Sequence, residues 1–215
     1  APEFVGSNYA PEKTYSDRGY SYRVDAARVK QPGTYPLARL VGVEPAREVS
    51  RELCRNWYVE EGAGAPFAPD WDMPEDQELA RFLSNERPYL EPITGVLTFD
   101  GPVKAGGTRG VSLIGYDPTY ISKVHLGSTE YPLAADFTAP IVARTRDINE
   151  FKLSLDGLLN PNSREAKLIL LEPYDPNRIP VLLVHGLNSH PRMWRDVIND
   201  LRADPKLRGR YQFMV

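Results

Sequence analysis

The sequence predicts an α/β protein in which a parallel sheet begins near residue 180, after a helical segment and a small antiparallel β-rich region. Residues 179–184, Ile-Pro-Val-Leu-Leu-Val, form a continuous apolar run of the kind found in strands buried on both faces of a parallel sheet. Apolar residues at helical spacing follow a tight turn, and residues 211–215 form a second strand-like run. The order strand, turn, helix, strand predicts a βαβ crossover.

The first ninety residues predict an irregular arm and helices. Residues 1–20 are polar and without a period, which indicates an arm. Residues 22–56 show apolar residues at helical spacing, interrupted by prolines, and residues 62–69 indicate a loop rich in Gly, Ala and Pro. Residues 74–83 are expected to form a helix, because proline occupies the first position and acids fill the first turn.

The middle of the chain has the pattern of short strands separated by turns. The three clearest strands are predicted at 96–99, 111–114 and 120–126, and the pattern is consistent with two more at 141–144 and 151–155. The expected domains are therefore a helical segment over 1–90, a β-rich accessory region over 91–165 and an incomplete α/β domain over 166–215.

The last part of the chain begins with a predicted strand at 166–172 and a turn at 173–177. After the 179–184 run, a helix is predicted with Met193, Val197, Ile198 and Leu201 on its buried face. Asp204-Pro205 is expected to end this helix before the strand at 211–215.

The composition excludes several classes of protein. Of the 215 residues, 41% are hydrophobic and 26% are charged, which is typical of a globular domain. A net charge of -3 without a basic stripe gives no indication of nucleic-acid binding. No apolar run approaches the roughly 18 residues that a transmembrane helix needs. Cys54 is the single cysteine, so an intrachain disulfide or a cysteine-based zinc site is excluded.

The turn after the 179–184 run has the features that acyl-transfer chemistry requires. In acyl transfer the carbonyl oxygen of the substrate gains negative charge, and fixed backbone N–H groups stabilise that charge. Gly186 has no Cβ, so it permits a sharp exit from the strand and a close approach to the substrate. Leu187 would then present its N–H as a donor, and the following helix would direct its positive end toward the same place.

Residues 181–189, Val-Leu-Leu-Val-His-Gly-Leu-Asn-Ser, together with Trp194, resemble the oxyanion segment of lipases and esterases of the α/β-hydrolase superfamily. The longer stretch 170–213 resembles bacterial members that carry an extra N-terminal region, and residues 132–140 echo the same group. Met214 departs from the pattern, since an aromatic residue is expected there.

The resemblance implies that the predicted sheet is the start of an α/β-hydrolase sheet. It implies that Leu187 is the oxyanion donor, that Gly186 is the pivot of the loop and that His185 shapes the loop rather than acting as the base. It also implies a small-molecule or lipid ester as substrate and no cofactor or metal. A location outside the cytoplasm or at the envelope is suggested by the resemblance only.

The catalytic triad is expected to be absent from these residues. In this superfamily the nucleophile, the acid and the histidine all follow the oxyanion segment, and no Gly-x-Ser-x-Gly occurs in the chain. We therefore expect the chain to stop before the nucleophile and to be inactive by itself. Ser189 and His190 are neighbours in the chain and are not expected to converge as a catalytic pair.

Two functions from different classes follow from the sequence. The first is a serine-type carboxylic ester hydrolase that acts through an acyl-enzyme. The alternative is a non-catalytic binding or interaction module, built on the β-rich region with a degenerate or partial hydrolase domain. Dehalogenases, epoxide hydrolases and peptidases share the predicted oxyanion geometry, so the reaction class also stays open at this point. No oligomeric state is predicted.

Other candidate sites have simpler explanations. The acidic residues between Asp70 and Glu78 lack the spacing of a calcium loop and indicate a solvated helix start, and residues 101–110 indicate a hairpin turn rather than a phosphate-binding loop. His125 has no metal-ligand partner at usable spacing and is expected to be a satisfied sheet histidine, and Cys54 is expected to pack beside Trp57.

Overall fold

The largest element of the fold is a mixed β-sheet of six strands. The structure, a computed structural model, describes residues 14–17, 20–30, 39–72, 89–99, 108–146, 168–186, 189 and 191–215. The strands of the sheet lie side by side in the following order: β1 (Thr14–Asp17), β2 (Tyr20–Lys30), β7 (Thr108–Tyr116), β6 (Ile93–Phe99), β5 (Ala65–Asp72) and β3 (Arg39–Pro45). All neighbours are antiparallel except β2 and β7, which are parallel.

The predicted strands at 96–99 and 111–114 are confirmed as β6 and β7. Burial alternates along β7, where Val111 and Leu113 are buried between half-buried neighbours, as expected for one core-facing side of a strand. Leu113 packs with Leu40, Trp71 and Ile93 in one of the apolar clusters of the protein. The sheet therefore joins strands from both sides of residue 90.

The predicted helices over residues 22–56 are wrong. The chain there forms β2, β3 and two 3₁₀ turns, Ala46–Glu48 and Arg51–Leu53. The reason is tertiary pairing: β2 is matched to β7 over nine residue pairs and β3 to β5 over six, and such long-range ladders override a weak local preference. Residues 14–17, which were expected to belong to an irregular arm, form β1.

The predicted loop at 62–69 is also largely a strand, because β5 begins at Ala65. Two prolines fit this strand because each lies where one edge of β5 is unpaired. Pro66 is in the part that pairs with β6 and Pro69 in the part that pairs with β3 only. A proline nitrogen has no hydrogen to donate, so it is tolerated where no neighbouring strand needs it.

Two small antiparallel sheets flank the large one. One pairs β4 (Val59–Glu60) with β10 (Ala135–Asp136). The other is a hairpin of β8 (Lys123–Leu126) and β9 (Thr129–Pro132), whose turn contains Gly127 at φ 64°. The strand predicted at 120–126 is thus confirmed from residue 123 onward.

The strand considered for 141–144 is instead the helix α1 (Ala139–Thr145). Asp136 explains where this helix starts, since its Oδ1 accepts hydrogen bonds from the backbone N–H groups of Thr138 at 3.1 Å and Ala139 at 2.8 Å. Pro140 suits the first turn of a helix. One face of α1 packs against Cys54, which is buried as expected.

The C-terminal part, called here the β11–β12 unit, comprises residues 168–186 and 191–215. Its elements are β11 (Ile179–Leu182), a 3₁₀ turn (Pro191–Trp194), α2 (Arg195–Ala203), α3 (Pro205–Arg210) and β12 (Tyr211–Met214). The turn predicted at 173–177 is present, and β11 and β12 pair in parallel, as the strand–helix–strand order predicted. Residues 168–170, predicted within a longer strand, lie antiparallel beside β12 through the bridge Leu170–Met214.

The predicted fold class, an α/β protein with the start of an α/β-hydrolase parallel sheet, is nevertheless wrong. Most of the described strands lie in antiparallel pairs, and the β11–β12 pair is a sheet of two strands. The physical reason is that the first half of the chain forms long β ladders instead of helices, so the strands outnumber the helices. The described part of the chain is therefore mainly β, with two parallel strand pairs, β2–β7 and β11–β12, and three short α-helices.

Burial in the β11–β12 unit also differs from expectation. β11 is not buried on both faces, since Ile179 is 46% and Leu182 57% exposed. Of the residues predicted on the buried face of the helix, Ile198 is buried, whereas Met193 and Val197 are exposed. Ile198 packs with the following residues from other parts of the chain: Leu90, Ile141, Leu171 and Phe213. This cluster joins the unit to α1 and to the segment that precedes β6.

Some predictions fall on residues that the structure does not describe. The predicted helix at 74–83, most of the predicted turn at 101–110 and the predicted strand at 151–155 lie outside the described residues. Among the helices that are described, none has both the length and the apolar character needed to cross a membrane.

Candidate functional site

The loop that leaves β11 carries the residues singled out for oxyanion binding. The N–H of Leu183 donates to the carbonyl oxygen of Met214 at 2.8 Å, so the ladder to β12 extends one residue beyond the strand. His185 and Gly186 then follow on the surface, and both are exposed. Leu187, whose N–H is the predicted donor, lies outside the described residues. The loop therefore starts from a fixed strand end and projects into solvent.

Gly186 has open space around it. A Cβ built at this position would meet no atom within 4 Å, and its φ does not lie in the left-handed region. The described neighbours thus make no steric demand for glycine at this position, and its role as a pivot stays a prediction. His185 is turned toward the loop itself, since its Nδ1 lies 3.2 Å from the carbonyl oxygen of Gly186.

Ser189 has a local partner that is unsuited to catalysis. Its hydroxyl donates at 2.8 Å to the sulfur of Met193, which lies in the 3₁₀ turn that precedes α2. Among the described residues, His185 contacts a carbonyl oxygen and Ser189 contacts a thioether. His190 lies outside the described residues. These contacts provide no base for the Ser189 hydroxyl.

Arg178 holds the beginning of β11. Its Nη1 donates to Glu172 at 2.6 Å, and its Nη2 donates to the carbonyl oxygens of Arg208 at 2.7 Å and of Tyr211. The Arg178 side chain is 3% exposed and that of Glu172 is 1% exposed, so solvent does not screen this ion pair. One guanidinium therefore ties the turn before β11 to the end of α3 and the start of β12.

Gln212 completes the connection between the two strands. Its Oε1 accepts a hydrogen bond from the N–H of Asp175 at 2.9 Å, and its Nε2 donates to the carbonyl oxygens of Asp175 at 2.8 Å and Arg178 at 2.9 Å. Glu172 adds a further link, since its Oε1 accepts from the N–H of Phe213 at 3.1 Å. Side chains thus provide hydrogen-bond partners for backbone groups of the turn before β11, which lies outside the β ladder.

Behind this connection lies a group of buried ionisable residues, called here the buried charge cluster. It consists of Glu91, Asp117, Glu172, Arg178 and Arg202. Arg202 reaches the group from α2, with its Nη1 3.4 Å from Glu172 and its Nη2 donating to the carbonyl oxygen of Leu90 at 3.3 Å. Each of the five residues is at most 5% exposed.

The two remaining acids of the cluster are incompletely satisfied. Both carboxylate oxygens of Glu91 lack a hydrogen-bond partner among the described residues, and so does Oδ2 of Asp117. The other oxygen of Asp117 accepts from the N–H of Thr119 at 2.8 Å and so closes the turn after β7. Burying an ionised carboxyl without partners is unfavourable, which favours the protonated form.

The pKa values of this cluster follow from that environment. Burial, and then the neighbouring Asp117 and Glu172, raise the pKa of Glu91 well above its usual value. Burial raises the pKa of Asp117 to about 6, although the hydrogen bonds from Thr119 oppose this shift. Burial also raises the pKa of Tyr120, at the surface side of the cluster, to about 12.

Sequence reasoning did not identify the buried charge cluster, because charged residues are by default expected at the surface. Two signals were present. Glu91 is a single acid within the apolar run Tyr89-Leu-Glu-Pro-Ile93, and Arg202 follows Ile198 by four residues, which puts both on one helical face. The partners of each charge are distant in sequence, so the pattern gives no hint that the charges meet.

The other candidate residues have structural surroundings. His125 lies in β8 and is exposed, and no group of acids, cysteines or histidines in the described ranges could hold a metal ion. Burial raises the pKa of the Cys54 thiol to about 11, which agrees with a packing role. Asp70 lies in β5 rather than at a helix start, and its carboxylate pairs with Arg144 at 2.8 Å.

Taken chemically, the site offers an exposed loop on a rigid strand end rather than an assembled catalytic group. The buried charge cluster lies at the opposite end of β11 from the loop, where Arg178 holds the beginning of the strand. Comparison with the models of known protein families, with curated proteins and with solved structures gives no match for this chain.

Proposed function

We propose that this chain contributes the oxyanion loop of a serine-type carboxylic ester hydrolase. In this reaction a serine oxygen attacks the ester carbonyl carbon, the alcohol leaves as the acyl-enzyme forms, and water then releases the acid. The N–H of Leu187 would stabilise the negative charge on the carbonyl oxygen during both steps. The likeness of residues 181–189 to the oxyanion segment of lipases and esterases supports this assignment.

The observation that carries the proposal is the position of the loop. The loop leaves the end of β11, where the N–H of Leu183 donates to the carbonyl oxygen of Met214 at 2.8 Å. The other end of β11 begins directly after the buried Arg178. A donor that follows such an anchored strand needs little reorganisation when charge develops on the substrate, which is the condition for oxyanion stabilisation. The exposure of His185 and Gly186 leaves room for a substrate.

The proposal does not make these 215 residues a complete catalyst. They contain no Gly-x-Ser-x-Gly, and Ser189 donates to a thioether instead of a base. The nucleophile, the acid and the base would therefore be contributed by residues other than these. We expect no turnover of a p-nitrophenyl ester by the 215-residue chain, with or without the change Ser189→Ala.

Replacing Leu187 tests the proposed donor in the full-length gene product. Leu187→Pro removes the backbone N–H, whereas the matched control Leu187→Ala keeps it. If that N–H binds the oxyanion, Leu187→Pro lowers kcat for a p-nitrophenyl ester by about a hundredfold or more, and Leu187→Ala lowers it much less. KM should change little in either variant, because the interaction is strongest in the transition state.

Two results would contradict the proposal. One is a full-length product that hydrolyses no ester at all, and the other is equal activity of the proline and alanine variants. Ester turnover by the isolated 215-residue chain that disappears in Ser189→Ala would likewise contradict the proposal, because it would show that Ser189 is the nucleophile.

A binding or interaction module is the second candidate. The observation that favours it is that the two loop residues whose contacts are described, His185 and Ser189, contact a carbonyl oxygen and a thioether. Leu97 on β6 is 49% exposed, so the large sheet also presents an apolar side chain at its surface. An inactive full-length product would favour this candidate over the hydrolase.

A further inference from the structure

The buried charge cluster lies where the β11–β12 unit docks on the segment before β6. The N–H of Leu90 donates to the carbonyl oxygen of Leu171 at 2.8 Å, and the carbonyl oxygen of Leu90 accepts from Arg202 at 3.3 Å. The next residue along the chain is Glu91, whose carboxyl is buried. The docking contact is therefore adjacent to an acid that solvent does not reach.

Charged and titratable groups face Glu91 from every element packed against it. The following side chains interact with it electrostatically: Asp117 from the end of β7, Glu172 and Arg178 from the turn before β11, and Arg202 from α2. Tyr120, in the turn after β7, also interacts with Glu91 and accepts a hydrogen bond from Arg178 at 3.4 Å. Asp117 interacts in addition with Arg208 of α3, which lies 3.6 Å from Glu60.

The cluster contains one acid more than its bases can neutralise. Glu91, Asp117 and Glu172 face the guanidinium groups of Arg178 and Arg202. Arg208 reduces the excess only in part, because it acts on Asp117 without an ion pair to it and also contacts the exposed Glu60 at 3.6 Å. With all acids of the cluster ionised, negative charge would therefore remain on buried carboxyl oxygens that lack a hydrogen-bond partner, which is strongly unfavourable; a single bound proton removes one such charge.

We propose that Glu91 and Asp117 form a proton-controlled latch that keeps the β11–β12 unit docked while at least one of the two acids is protonated. Loss of that proton leaves excess negative charge beside the Leu90–Leu171 hydrogen bond and loosens the docking contact. The latch thus makes the support of the candidate loop depend on pH. It does not depend on the proposed ester hydrolysis.

The direction of the pH effect follows from the carboxyl groups. Both have pKa values raised in the folded protein, mainly by burial. Such groups contribute stability that is fully present below their unfolded pKa and is lost as pH rises through the folded pKa. Docking therefore weakens as pH rises through about 6, the folded pKa of Asp117, and deprotonation of Glu91 acts in the same direction.

Hydrogen exchange of the Leu90 amide measures the docking contact directly. We expect its protection factor to fall by about tenfold or more between about pH 5.5 and pH 8, while the amides of the β6–β7 ladder keep theirs. The melting temperature should fall by about 5 °C over the same range. A Leu90 protection factor that is constant with pH, or an equal loss throughout the sheet, would overturn the latch.

Neutral isosteres identify the acids responsible. Glu91→Gln and Asp117→Asn each leave one member of the pair permanently neutral, so the fall in Leu90 protection should disappear in both variants. The matched control Glu130→Gln changes an exposed acid that pairs with Lys123 at 2.7 Å, and its pH profile should follow that of the unchanged protein. A folded variant that keeps the fall in Leu90 protection of the unchanged protein would refute the role assigned to the acid that it replaces.

Discussion

Arg178 shows how much a single side chain contributes to this protein. It is buried, it neutralises Glu172, and it donates to the backbone carbonyl oxygens of Arg208 and Tyr211. Such an arrangement is costly to disrupt because the partner acid stays buried after its counter-charge is removed. The energetic weight of Arg178 therefore comes from what its loss would leave behind as well as from the bonds it makes.

We expect Arg178→Met to lower the free energy of unfolding by about 3–5 kcal/mol, because the buried Glu172 would lose its 2.6 Å ion pair and keep the longer one to Arg202 at 3.4 Å. Urea denaturation monitored by circular dichroism measures the change. Arg47→Met is the matched control, since the Arg47 side chain is 86% exposed and its contact with Glu48 measures 3.8 Å. A loss for Arg178→Met as small as that for Arg47→Met would show that the ion pair is dispensable.

At the scale of elements, Asp204 ends the helix that the sequence predicted and begins a second helix that it did not predict. It ends α2 and caps α3, accepting from the N–H groups of Lys206 at 2.8 Å and Leu207 at 3.3 Å. Pro205 suits the first turn of the second helix. The sequence signal for a helix end was read correctly, but the same residues also begin a new helix.

Asp204→Ala should therefore lower the free energy of unfolding by about 1 kcal/mol, because two backbone N–H groups lose their acceptor. Asp204→Asn keeps a capping oxygen and should lose only a few tenths of that amount, which makes it the appropriate control. Thermal or urea unfolding compares the three proteins. Equal stability of the alanine and asparagine variants would mean that water replaces the cap without cost.

For the whole molecule, the apolar cluster around Ile198 joins α1, the segment before β6 and the β11–β12 unit. Leu171 belongs to this cluster and is 7% exposed. Ile179 of β11 lies outside the cluster and is 46% exposed. Because the parts share a core, their unfolding should be coupled at acidic pH, where the proposed latch is closed. Stability at this scale depends on contacts between regions that sequence patterns treat separately.

We expect Leu171→Ala to destabilise the protein by about 3 kcal/mol, since it removes a buried side chain at the junction. At about pH 5.5 tryptophan fluorescence and far-UV circular dichroism should still give one common unfolding midpoint. Ile179→Ala, at an exposed apolar position, should change stability by less than about 1 kcal/mol. Separate midpoints for the two signals would show that the regions unfold independently.

The sequence predicted those parts of the fold whose signals are local. β7 alternates in burial, Asp204-Pro205 marks a helix end, and the parallel β11–β12 pair follows from the strand–helix–strand order. It did not predict β2, because the partner of that strand is β7, which lies far along the chain. The fold class failed for the same reason, since long-range ladders determine how many strands a sheet contains.

The candidate site divides in the same way. The exposed loop at His185 and Gly186 could be located from the end of an apolar run and a glycine, which are local features. The buried charge cluster could not be located in this way, because the folded structure and not the local sequence determines which groups a buried charge contacts. Arg202 and Leu90, which are joined by a hydrogen bond, are 112 positions apart. Local patterns therefore identified the loop and missed the residues that support it.

The burial of Cys54 has a practical consequence for measuring motion. It is the single cysteine of the chain, and burial raises the pKa of its thiol to about 11. Since alkylating reagents react with thiolates, labelling at neutral pH requires the packing of the cluster against α1 to open. The labelling rate is then the rate for an exposed thiol multiplied by the fraction of time spent open. The protein thus carries an intrinsic chemical reporter of its own fluctuations.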